Sequence, residues 1–117
     1  MIYTSYFSSK KYIKEDGISI ARYNKFWDGD SYPLLYPSAN LLAWWKDIPK
    51  EDAKEAWFTE QYERAYYEET LSKLDPHKVA KDLEGKVLLC YEKSEDFCHR
   101  HIIAAWLERH GIECKEL

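Results

Sequence analysis

The feature that most constrains this chain is a short apolar run, VLLCY at residues 87–91, set between Gly85 and a helix-patterned stretch that closes at Gly111. A run so short, apolar on both faces, fits a strand buried inside a sheet. Upstream, Asp75-Pro76 reads as the N-cap and first residue of a helix, with Gly85 as its C′ residue. Downstream, Ser94 or Asp96 reads as the N-cap of a helix over about 95–110, and residues 112–115 read as a closing strand. Parallel neighbours require a crossover, and helices supply it here. The predicted class is α/β: a small three-layer domain with a mostly parallel sheet flanked by helices.

The N-terminal half fits the same plan. Residues 2–7 (IYTSYF) are β-branched and aromatic and read as a first strand; residues 18–22 (ISIAR) alternate and read as a second. Residues 8–16 are polar, a loop or short helix. Residues 23–37 carry Gly29, Pro33 and Pro37 among aromatics and read as a long ordered loop, a type that is often functional. Ser38 is the expected N-cap of a helix through Trp45. Pro49 opens a helical region with Glu51 and Asp52 in its first turn, reaching about Leu74 with a break near Phe58 and Thr59.

The length of 117 residues fits one domain, residues 1–117, and 45% apolar residues suffice for a core. The net charge of −4 argues against a general nucleic-acid or membrane-surface binder, since both need a basic face. The three cysteines, Cys90, Cys98 and Cys114, are odd in number. With no signal pattern and no apolar run of transmembrane length, they lead to the expectation of a reducing, cytoplasmic setting.

Chemistry-bearing residues gather where the 87–91 strand hands over to the last helix. Cys90 and Glu92 fall at the strand's C-terminal end, the edge at which open parallel sheets bind ligands. Cys98, His99 and Arg100 fall in the first helical turn, His99 centred on the inward face with Ile102, Ile103, Trp106 and His110. Three chemistries fit. Arg100 and the helix start suit a phosphate or carboxylate. Cys98 beside Arg100 suits a nucleophilic thiol, with Cys90 as resolving partner and His99 or Glu92 moving protons. Cys90, Cys98, His99 and Glu92 are zinc-ligand types. Their spacing is not a standard zinc signature, and adjacent Cys98 and His99 diverge by about 100° on a helix, so no metal ligand is assigned. The plain alternatives are a buried core Cys90, a His99 bonded to a backbone carbonyl, and an Arg100 paired with Glu92 or Glu95. Cys114 reads as inert, and Trp44, Trp45, Tyr62, Tyr66 and Tyr67 as packing residues.

The pattern Leu88-Leu89-Cys90-Tyr91-Glu92, then Phe97-Cys98-His99-Arg100 and a helix bearing Trp106-Leu107, resembles the signature of the family known as domain of unknown function 488 (DUF488). IYTSYF, ISIARYNKFW, LLYPSANLL and FTEQYERAY resemble further segments of that family, while Tyr23-Asn24-Lys25 departs from its usual Gly-Pro stretch. The resemblance implies a compact α/β fold and no established activity. It singles out Ser5, Arg22, Pro37, Ser38, Tyr62, Cys90, Glu92, Cys98, His99 and Arg100.

Three functional classes follow. The first is a site for a small anionic, nucleotide-like molecule, with Ser5, Arg22, Ser38, Tyr62 and Arg100 as binding residues and Tyr23, Phe26 and Trp27 stacking on a base. The second is a cysteine-dependent enzyme using Cys90 or Cys98 with His99 and Glu92. The third is a structural protein with a buried Cys-His-Arg cluster. The sequence names no cofactor and no oligomeric state, and leaves open whether the protein is an enzyme.

Overall fold

The computed structural model describes residues 1–93 and 96–117. It is an α/β fold built on five strands: β1 Ile2–Tyr6, β2 Gly17–Ser19, β3 Asp30–Ser31, β4 Val87–Cys90 and β5 Cys114–Glu116. The order is β3-β2-β4-β1-β5, and every pairing is parallel. VLLC is central and buried at all four positions, between β1 and β2, as its two-sided apolar character requires. The short β3 arises inside the stretch expected to be loop, pairing Ile18 with Asp30 and Ser19 with Ser31. Its exposed Asp-Ser pair carries no strand signal; it sits at the sheet edge, where only one side must pair.

Four helices follow the expected order: α1 Ala39–Asp47, α2 Ala56–Glu69, α3 Pro76–Leu83 and α4 His99–Arg109. Their buried residues form one core with Ile2, Ile18, Ile20, Leu88 and Cys90. The strand positions that alternate with these include Gly17 and Leu89, where the rings of Tyr12 and Trp27 close in. A Cβ at Gly17 would lie 2.8 Å from the Leu89 side chain, so glycine is what lets this layer close.

Helix ends match the capping signals where the chain supplies them. The Ser38 hydroxyl accepts the Leu41 N–H at 3.0 Å, and the Asp75 carboxylate accepts the His77 N–H at 2.9 Å. Gly85 and Gly111, the residues that close the α3 and α4 regions, have φ of +80° and +77°. Two helix starts differ from expectation. Residues 50–54 form turns, so α2 starts at Ala56 and continues through Phe58 and Thr59. And α4 starts at His99, with Cys98 as an extended N-cap (φ −153°, ψ 148°). Of the two caps read from sequence, Asp96 lies before this start and Ser94 lies outside the described residues.

The buried face of α4 comprises His99, Arg100, Ile103, Trp106 and Leu107; Ile102 is half-buried and His110 exposed. The face is rotated from the apolar one because Arg100 turns inward. A fully buried arginine violates simple hydrophobic patterning, and its partners explain the exception. Arg100 Nη2 donates to Glu116 Oε2 at 2.9 Å and Nε to Glu116 Oε1 at 3.1 Å. Nη1 donates to the Glu92 carbonyl at 2.7 Å and to Cys90 Sγ at 2.9 Å. The guanidinium thus ties the last strand to the loop after β4.

Candidate functional site

The C-terminal edges of β2 and β4 open onto a cavity of about 540 Å³. After β2 the chain is turned by its own polar groups. Ser19 Oγ accepts the Ala21 N–H at 3.2 Å, and the Asn24 amide donates to Ser19 Oγ and, at 2.8 Å, to the Ala21 carbonyl. This turn presents Arg22 to the cavity, where its Nε donates to the Pro37 carbonyl at 2.8 Å and its guanidinium lies 5.8 Å from the Tyr36 ring. Lys46 and Lys50 add two exposed cations to the lining, and Lys46 Nζ lies 5.2 Å from the centre of the Tyr23 ring.

One wall is aromatic. Trp45 and Phe97 have ring centroids 4.9 Å apart, Tyr62 and Phe97 5.0 Å, and Trp45 and Tyr62 5.4 Å. Burial, with Glu92 and Glu69 nearby, pushes the Tyr62 hydroxyl well above its ordinary pKa, so it remains a proton donor. Glu92 is exposed at the rim. Partial desolvation by the surrounding protein still holds its carboxyl above the usual range, against the lowering effect of its own backbone hydrogen bond and of Arg100. Among the described residues the lining therefore sets three cations against one carboxylate.

Cys90, Cys98 and His99 also line the cavity, although each is buried. Cys90 ends β4, and the extended cap conformation of Cys98 brings its side chain back toward the strand. A disulfide joins the two cysteines, whose Cα atoms are 7.4 Å apart. His99 Nε2 lies 2.8 Å from the Ile20 carbonyl, an acceptor only, so Nε2 carries the proton and Nδ1 keeps its lone pair. Nδ1 stands 3.7 Å from Cys98 Sγ. Burial, reinforced by the nearby Arg100 charge, drives the His99 pKa down to about 4, so the ring is neutral at pH 7.

The structure brings together seven of the residues singled out from sequence: Arg22, Pro37, Tyr62, Cys90, Glu92, Cys98 and His99. It sets three others apart. Arg100, expected to bind an anion, is buried against Glu116, with the Glu92 backbone and Cys90 as its further partners. Ser38, besides capping α1, donates to Glu69 Oε1 at 2.7 Å. Ser5 is buried in β1, and its hydroxyl has no hydrogen-bond partner among the described residues. The base-stacking expectation also divides. Tyr23 lines the cavity, whereas Phe26 and Trp27 pack on Phe7, with centroids 4.9 and 5.4 Å away. Lys46, Lys50, Trp45 and Phe97 were not singled out as binding residues. Isolated lysines and a helix-borne tryptophan carry no local signal, and only the tertiary fold gathers them.

Cys114 is free and buried, and burial with Glu108 and Glu116 nearby raises its pKa to about 12, which keeps the thiol protonated. Among the described residues no helix is long and apolar enough to cross a membrane.

No curated protein and no solved structure matches this chain. A family model, DUF488-N3a, described as the active DUF488-N3 subclade, matches residues 9–111. The match leaves Ser5 and β1 outside but takes in the turn after β2, the aromatic wall and the entire Cys90–Arg100 segment. The motif read from the sequence and the span of this match agree, and the chain belongs to the DUF488 family.

Proposed function

We propose that the cavity at the C-terminal edge of the sheet binds a small anionic molecule of nucleotide-like character. The observation that carries this reading is the lining itself: Arg22, Lys46 and Lys50 on a chain whose net charge is −4, beside the aromatic wall of Trp45, Tyr62 and Phe97. Cations suit a phosphate; flat aromatic rings suit a planar base. A volume of about 540 Å³ lies within the range of small-molecule sites. The position at the carboxyl ends of parallel strands is where such folds hold ligands. Arg100 takes no part in this reading, since its donors are spent on internal acceptors.

The experiment is a thermal-shift and calorimetric screen of nucleoside monophosphates, the matching nucleosides and inorganic phosphate, repeated on Lys46→Ala/Lys50→Ala and on Arg22→Ala. A monophosphate should stabilise the native protein by mass action more than its nucleoside or phosphate alone. The lysine variant should weaken that shift. Absence of any shift, or a shift unchanged in both variants, would overturn the reading.

A cysteine-dependent enzyme is the second reading. It is favoured by the 3.7 Å approach of His99 Nδ1 to Cys98 Sγ, with the opposite ring nitrogen held on Ile20, and the matched subclade is described as active. In reduced protein His99 Nδ1 would face the Cys98 thiol as its hydrogen-bond acceptor, the geometry in which a neighbouring base assists a thiol nucleophile. Alkylation of Cys98 much faster than Cys114 at neutral pH supports it; equal slowness removes it.

A further inference from the structure

We propose that Cys90 Sγ, Cys98 Sγ and His99 Nδ1 form a binding site for a thiolate-preferring divalent cation of the zinc type, on the floor of the cavity. The three atoms lie within 4.8 Å of one another, and all three residues are buried. This inference is independent of the anion-binding reading, since it rests on different atoms and is tested with the metal alone.

The sequence argues against such a site only while Cys98 is placed within the helix. Two adjacent helical residues diverge by about 100° and cannot share an ion easily. Cys98 is instead the N-cap, with extended backbone, and α4 begins at His99. That single change of conformation lets neighbouring side chains converge on one point. Cys90 reaches the same point from the end of β4, the strand that the α4 N-terminus faces across the loop.

Each ligand is prepared for a cation. His99 Nε2–H donates a hydrogen bond to the Ile20 carbonyl at 2.8 Å, which fixes the ring and leaves the Nδ1 lone pair turned to the sulfurs. A second hydrogen bond of this kind is the usual support of a metal-bound imidazole. Arg100 Nη1 lies 2.9 Å from Cys90 Sγ, a donor that would favour loss of the reduced Cys90 thiol proton as a cation binds. The Cα atoms of the two cysteines are 7.4 Å apart. That is wider than the roughly 4.4–6.8 Å usual for a disulfide, and it leaves room for an ion between reduced sulfurs. Two sulfurs and one nitrogen form a donor set that favours zinc over magnesium or calcium. Since all three residues line the cavity, the fourth position faces solvent or a bound molecule, as in zinc sites with three protein ligands.

The chemistry balances simply. The disulfide is the two-electron oxidised form, and a phosphine reductant returns both thiols. The cation then replaces the two thiol protons, which leave to solvent, and no electron moves in the binding step.

The test uses full-length protein, reduced with a phosphine, stripped with a chelator and titrated with Co²⁺ and then Zn²⁺. The expected result is a single equivalent of Co²⁺ per chain. It should show thiolate-to-cobalt charge transfer and the intense visible bands of a tetrahedral site, both abolished as Zn²⁺ displaces it. Cys114→Ser should retain the spectrum; Cys90→Ser and Cys98→Ser should lose the charge-transfer band or halve it. If either variant fails to fold, the wild-type protein still decides. Zinc should release two protons per ion, read by calorimetry in buffers of different ionisation enthalpy, and should protect Cys90 and Cys98 from alkylation. No cobalt spectrum in the reduced wild-type protein, no proton release, or a full spectrum in Cys90→Ser would overturn the proposal.

Discussion

Replacing Glu116 with glutamine should cost this fold far more than a terminal-strand glutamate ordinarily would. Its partner Arg100 is 0% exposed, while the Glu116 side chain is 26% exposed. Glu116 accepts from Arg100 Nε and Nη2 and, at 2.6 Å, from the Thr4 hydroxyl. The amide removes the negative charge and turns one acceptor into a donor facing the guanidinium or the threonine. An exposed pair would lose well under 1 kcal/mol. Here the penalty is set by the buried cation, which keeps the Glu92 carbonyl, Cys90 Sγ and one amide oxygen as acceptors among the described residues. Breaking a buried pair from one side costs about 3–5 kcal/mol. The partly exposed carboxylate and the one retained amide bond place this case near about 3 kcal/mol. With a urea dependence of about 2 kcal/mol per molar, the midpoint should fall by about 1.5 M. The assay is equilibrium urea unfolding at pH 7 of Glu116→Gln and of Arg100→Met/Glu116→Leu. The double variant removes both charges and should recover a good part of the loss. A single-variant loss below about 1 kcal/mol, or a double variant less stable than the single, would refute the claim that Arg100 is a buried, internally paired cation.

Ser38→Ala should lower stability by about 1 kcal/mol through loss of the α1 cap, and leave binding of any monophosphate unchanged, because Ser38 serves Leu41 and Glu69. Gly85→Ala should cost about 1 kcal/mol by urea unfolding; no atom would touch the added methyl, so the loss is the backbone penalty at φ +80°. Cys114 has a pKa raised to about 12 in the folded protein, so the unfolded chain sheds this proton first as pH rises. Stability is therefore present below the unfolded thiol pKa and is lost above about pH 8.5, with Tyr62 and Tyr66, also raised by burial, adding to the loss. Urea midpoints at pH 8 and pH 10 should fall in the wild type and fall less in Cys114→Ala.

The legibility of this fold in its sequence follows the range of the forces involved. VLLC, the Ser38 and Asp75-Pro76 caps, Gly85 and Gly111 act through neighbours a few residues away, so pattern alone places the central strand and its helices. β3 is two exposed residues held by pairing with Ile18 and Ser19, an interaction absent from its own composition. The inward turn of Arg100 depends on Glu116, 16 residues away on the final strand. The site divides along the same line. Cys90, Glu92, Cys98 and His99 form a dense local motif at a strand-to-helix junction, so its position could be read. The anion-binding role of Arg100 follows from a helix start near residue 95; α4 begins at His99, and the structure turns the Arg100 side chain into the core. The cations that do line the cavity come from the turn after β2, from the end of α1 and from the turn that follows it, dozens of residues from the motif. A motif thus records where backbone geometry converges, and the tertiary fold decides which of its side chains face the cavity. Cys98 shows how little separates the two outcomes. One residue taken out of the helix and made its cap turns a divergent Cys-His pair into one that meets at 3.7 Å.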